Sequence, residues 1–143
     1  RAEILFQRME DDHRPEDHVP PEVPPMLAAL REAGYVLGLV SNRDDPLDPL
    51  LPPLGLEGAF HFTLAGGEIG MFKPAPGIFQ HAAEMAGVAV HEAVYVGDNY
   101  FADILGAAGA GMRQILVDPR GLFPEAECPV VRNVWEVAEV IGE

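Results

Sequence analysis

The chain has 143 residues, 48% of them hydrophobic, with one cysteine and 23 acidic against 9 basic side chains, for a formal net charge of −14 at pH 7. That length supports one domain with a real core, and the apolar share excludes a disordered chain. The longest apolar runs are too short to span a bilayer, and the acidity argues against nucleic acid or an anionic membrane as partner, because phosphate backbones call for Lys and Arg. A lone Cys128 cannot form an intrachain disulfide, and the mixed, charged N-terminus shows no signal peptide, so a reducing, cytoplasmic setting is expected. The start at Arg1 instead of Met reads as a processed product or a fragment.

Ala2, Leu5, Phe6 and Met9 fall at i, i+3, i+4 and i+7, a period that predicts a helix over residues 2–9. The charged, Pro-rich stretch from Asp11 to Pro25 reads as a linker and helix entry. Residues 1–18 are therefore expected as a terminal helix and linker, and 19–143 as the main body. A helix is predicted over 24–33, with Met26, Leu27, Leu30 and Ala33 inward and Gly34 ending it. Val36 to Val40 reads as a buried strand, 46–54 as a short helix, and Phe60 to Leu64 as a strand before the Gly-rich 65–70. A helix follows over 75–86 with Ile78, Phe79, Ala82 and Met85 inward, then a strand at 94–96, a helix over 104–110, a strand at 114–117 and a closing helix over 133–141. This alternation predicts an α/β fold with a doubly wound, Rossmann-like parallel sheet and flanking helices.

Polar residues stand at three strand exits, where open α/β sheets bind ligands. Ser41-Asn42 follows Val36 to Val40 and offers a hydroxyl and backbone amides to a phosphoryl oxygen. Lys73 stands in Phe72-Lys73-Pro74, just before a helix. Asp98 and Asp103 follow Val94 to Val96 and suit a hard cation such as Mg2+, which takes one or two carboxylates with waters and phosphate oxygens. Singly, each has an ordinary reading as a turn cap, an exposed lysine or a helix cap.

Together, in this order, Leu39-Val40-Ser41-Asn42, Phe72 to Phe79 and Val94 to Asp103 resemble the second, third and fourth motifs of the haloacid dehalogenase-like (HAD) hydrolase superfamily. The resemblance covers roughly residues 20–143. It implies a Mg2+-dependent phosphatase, or a related phosphotransferase such as a sugar phosphomutase, acting on a small phosphate ester through an aspartyl phosphate. It also implies roles: Ser41 bonding the phosphoryl group with the Asn42 backbone nearby, Lys73 steadying its charge, Asp98 ligating Mg2+ directly and Asp103 completing the metal site. The chemistry agrees, since phosphoryl transfer needs mainly positioning and charge stabilisation.

The family's first motif, Asp-x-Asp after an apolar strand, is absent. Ile4 to Glu10 can be read as a degenerate version with Gln7 in the nucleophile position, which makes a pseudoenzyme. The helical period of residues 2–9 favours instead the last helix of a cap domain, with the catalytic strand upstream of Arg1. On that reading two buried sheet edges lack a partner, so the isolated chain is expected to be poorly stable and inactive. The alternatives are a metal-independent haloacid dehalogenase and an inactive fragment with a binding role.

Other residues rank lower. Arg43, Asp44 and Asp45 are candidates for the pocket lining and Glu68 for orienting Lys73. His13, His18, His61, His81 and His91 read as surface or packing residues, and Trp135 as packing.

Overall fold

The computed structural model describes residues 3–7, as backbone, and 19–141. Six parallel strands form one sheet in the order β3-β2-β1-β4-β5-β6. They are β1 (Glu3–Gln7), β2 (Leu37–Ser41), β3 (Phe62–Ala65), β4 (Ala93–Gly97), β5 (Arg113–Val117) and β6 (Val130–Val131). Among the described residues five α-helices accompany them: α1 (Val23–Glu32), α2 (Gly66–Ile69), α3 (Pro76–Ala86), α4 (Gly106–Ala110) and α5 (Val137–Val140).

The main correction concerns residues 2–9. Residues 3–7 form a strand, not a helix, and it lies inside the sheet. Ile4 to Gln7 pair with Leu37 to Val40 on one side, and Glu3 to Phe6 with Ala93 to Val96 on the other. Two long parallel ladders satisfy the backbone of a short segment whose helical period is worth only a weak preference. The unpaired edges of β2 and β4 expected from the sequence are therefore filled. Of the linker expected from Asp11 to Pro25, residues 11–18 lie outside the described residues, and residues 23–25 already belong to α1.

The strands bury both faces, as a parallel sheet requires. Alternation along them assigns side chains to two cores. Leu37, Leu39, Val94, Val96, Ile115 and Val117 face α1 and the C-terminal segment, while Val40, Ala93 and Tyr95 face α3 and α4. Helix α1 starts with prolines in its first turn, where their missing N–H groups cost nothing. It buries Met26, Leu27 and Leu30, and each such side chain contributes about 1.5–3 kcal/mol of hydrophobic stabilisation. Helix α3 ends at Gly87, whose φ of 77° gives the left-handed cap.

Three further elements differ from expectation. Residues 48–50 and 52–54 form separate 3-10 turns. The closing helix is a 3-10 turn, Val134–Glu136, followed by α5, with the Glu136 carboxylate accepting from the Arg132 and Asn133 N–H groups. The helix expected over 104–110 begins earlier, as a π-helical turn over Tyr100–Leu105 that runs into α4. No helix among the described residues is long and apolar enough to cross a membrane.

Candidate functional site

The carboxyl ends of β2 and β4 carry Ser41 and Asp98, and Lys73 arrives on the loop before α3. Ser41 is the last residue of β2 and is fully buried. Its Oγ accepts from the Arg43 N–H at 3.3 Å, so the local turn contact exists as well. The next residue, Asn42, reaches across to Lys73. Its Nδ2 donates to the Lys73 carbonyl at 3.1 Å, and its Oδ1 accepts from the Lys73 N–H at 2.8 Å.

Lys73 is the only lysine in the chain, and it is buried. Its Nζ donates to Asp103 Oδ1 at 2.8 Å, with both side chains at 0% exposure. The ammonium also lies 5.6 Å from the centre of the Tyr95 ring, within cation–π range. Tyr95 is in turn set edge-on against Phe79, with ring centres 5.0 Å apart. A buried ammonium is tolerated only when paired, and Asp103 supplies the pair.

The π-helical turn explains where Asp103 sits. Asn99 caps it, accepting on Oδ1 from the Ala102 N–H at 2.8 Å. The Asn99 carbonyl accepts from the Asp103 and Ile104 N–H groups, which gives the turn its extra width. Asp103 Oδ2 then accepts from the Asn99 N–H at 3.0 Å. The carboxylate packs so close to Gly97 that a Cβ there would lie 2.4 Å from Oδ2. Only a glycine at the end of β4 leaves that space. Asp98 follows directly and is half-buried at the strand mouth.

Asn42, Lys73 and Asp103 are joined by hydrogen bonds, and Ser41 and Asp98 flank them in sequence at the ends of β2 and β4. Asp98 and Asp103 are the carboxylates at this corner, and no group of three or more His, Cys, Asp or Glu side chains among the described residues is arranged as a metal site. One or two carboxylates suffice for Mg2+ when water and phosphate oxygens complete the shell, so this donor set fits that ion. Nearby, Gln7 lies level with Val40, one residue short of Ser41.

Glu68 does not hold Lys73. Its Oε2 accepts from the Ala65 N–H at 2.9 Å and caps its own short helix, α2. Arg43 contributes main chain to this corner, its carbonyl accepting from the Gly67 N–H at 3.0 Å, and Asp44 and Asp45 are exposed. His61 and His91 are exposed and His81 is half-buried; His13 and His18 lie outside the described residues. Trp135 packs on the core side served by α1.

The sequence reading missed three features. In sequence Tyr95 reads only as part of a strand, and Asn42 only as a backbone donor beside Ser41. Asp118 was not considered, yet it is buried just after β5, where its two oxygens accept from the Leu122 and Phe123 N–H groups at 2.9 and 3.0 Å. That clamp holds the Phe123 ring stacked on Tyr100, 4.9 Å centre to centre. Its signal was legible: a carboxylate directly after an apolar strand, the same placement as Asp98.

The family model for haloacid dehalogenase-like hydrolases matches residues 2–111. The human haloacid dehalogenase-like hydrolase domain-containing protein 3 is 39% identical over 107 residues, 75% of this chain and 41% of that protein. Phosphoserine phosphatase of Thermus thermophilus is 42% identical over 106 residues, 73% of this chain and 42% of that protein. The crystal structure of 2-haloacid dehalogenase from Pseudomonas syringae pv. Tomato superimposes with a TM-score of 0.76 at 34% identity, covering 87% of this chain and 53% of that one. The chain thus spans about two fifths of the length of these two curated relatives. By the matched family model and by these relatives, the chain belongs to the haloacid dehalogenase-like hydrolase family.

Proposed function

We propose that this corner is the phosphoryl- and cation-binding half of a phosphatase site. The complete site would act on a small, soluble phosphate ester through an aspartyl phosphate, whose aspartate is not at Gln7 or elsewhere in a matching motif of this chain. The observation that carries the reading is the only lysine of the chain, buried between Asp103 and Tyr95 at the carboxyl end of the sheet. An ammonium in a water-poor pocket is worth most to a group that gathers negative charge, as a transferring phosphoryl group does.

Asp98 would hold Mg2+ directly, and Asp103, whose oxygens also serve Lys73 and the Asn99 N–H, would reach it through water. The bound cation would neutralise phosphoryl oxygens and the acidity of the chain around them. Ser41 and the backbone beyond it would donate to the phosphoryl oxygens, and Lys73 would hold them against the site. In this proposal the substrate is a phosphorylated small molecule, neither nucleic acid nor membrane is a partner, and the setting is cytoplasmic.

Titration with orthophosphate tests it. Binding should require Mg2+, vanish with EDTA, and fall by more than tenfold in Asp98→Asn. Phosphate binding that ignores EDTA and Asp98→Asn would defeat the proposal. The dehalogenase alternative, supported by the likeness to 2-haloacid dehalogenase, expects 2-chloropropionate to bind regardless of EDTA.

A second reading, a binding protein without catalysis, is favoured by β1. That strand ends at Gln7, whose backbone pairs level with Val40, and an amide in the nucleophile position cannot form the acyl phosphate. Both readings expect no hydrolysis of p-nitrophenyl phosphate by this chain. Metal-dependent turnover in Gln7→Asp would assign the nucleophile position to β1 and defeat the binding-protein reading.

A further inference from the structure

Asn42 spends its carboxamide on a single residue. Both main-chain groups of Lys73 are bound, the N–H by Oδ1 at 2.8 Å and the carbonyl by Nδ2 at 3.1 Å. This holds the Lys73 backbone from both sides of its Cα. The tip of the same side chain is held by Asp103 Oδ1 and by the Tyr95 ring. A lysine has four side-chain torsions, and their freedom is lost cheaply only if both base and tip are fixed by the surrounding fold.

The clamp is itself anchored. Asn42 stands between Ser41, the buried end of β2, and Arg43, whose carbonyl accepts from the Gly67 N–H. At Gly67 a Cβ would fall 2.1 Å from the Asp44 carbonyl oxygen, so the loops after β2 and β3 touch through their main chains. The clamp therefore sits on the two strands, not on a loop that moves by itself.

We infer that Asn42 is the positioning residue of this site. Its side chain sets where the Lys73 ammonium lies and ties Lys73 to Ser41, instead of touching the phosphoryl group. The consequence for phosphate rests on the function proposed above. The chemistry needs a neutral amide, because the group must donate and accept at once. Aspartate accepts from the N–H but faces the Lys73 carbonyl with a second acceptor, and alanine does neither.

The only lysine makes the test direct. Full-length chain labelled with 15N-lysine carries a single side-chain ammonium signal. It should be protected from solvent exchange in the wild type, lost in Asn42→Ala and broadened in Asn42→Asp, each measured below its own melting temperature. Orthophosphate affinity in the presence of Mg2+ should fall about tenfold in Asn42→Ala, the value of one or two such hydrogen bonds. A variant that melts cooperatively and keeps the wild-type ammonium signal overturns the inference. If Asn42→Ala does not fold, Asn42→Asp keeps the shape and one bond and decides the same question. A wild type that binds no orthophosphate defeats the phosphatase reading, while the ammonium signal still decides the role of Asn42.

Discussion

Lys73 is where single residues matter most, because one ammonium is surrounded by an ion pair, an aromatic ring and a backbone clamp. Its side chain is at 0% exposure, so amine reagents should pass it by in the native chain. Reductive methylation followed by peptide mass analysis should modify Lys73 only after denaturation. Modification at the native rate of a free lysine would contradict the burial. The pair with Asp103 should also show in stability. Lys73→Met leaves the Asp103 carboxylate buried with its cation gone, a change that costs about 3–5 kcal/mol, whereas Lys73→Met with Asp103→Leu removes both charges and should cost clearly less. Urea denaturation of the two variants checks this, and equal losses would mean the charges are not coupled. The lysine and both aspartates were legible from type and position at strand exits. The partner of the lysine was not, because an ion pair 30 residues apart in sequence leaves no local pattern.

At the scale of elements, the corner depends on close approach between turns and strand ends. The π-helical turn over Tyr100–Leu105 carries the Asp103 carboxylate back onto β4, and Gly97 leaves the room. Gly97→Ala would place a methyl 2.4 Å from Asp103 Oδ2, so either the carboxylate or the turn has to move. The expected cost is about 1–3 kcal/mol, as for other overpacked sites, with loss of the protected Lys73 ammonium signal. Thermal melting with the labelled protein measures both, and an unperturbed signal would show that Asp103 has freedom to shift. The helix over 104–110 was predicted from its small residues, but its π-helical entry was not. A π-helical turn differs from an α-turn by one residue of backbone, set by the Asn99 cap and the fit to Gly97, and hydrophobic periodicity does not register it. The two-residue β6 was missed for a similar reason, as two residues are too few to show alternation.

For the whole molecule, the central feature is that β1 joins β2 to β4. Parallel ladders on both sides make residues 3–7 the link between the two halves of the sheet. The chain should therefore melt cooperatively, and deletion of residues 3–7 should abolish that transition by exposing two buried edges. A deletion variant with an unchanged melting curve would show that the halves hold together through their helices alone.

The sequence by itself determined the fold class, four of the six strands and their chain order, the two-sided core and the residue types that stand at the strand exits. These are carried by local quantities: side-chain period, turn chemistry, and residue type at the end of an apolar run. Tertiary structure alone decided that residues 3–7 are a strand, that Asp103 and not Glu68 holds Lys73, and that Asn42 grips the lysine backbone. In each case several local choices were nearly equal in free energy. Pairing, burial and charge neutralisation between distant segments chose among them.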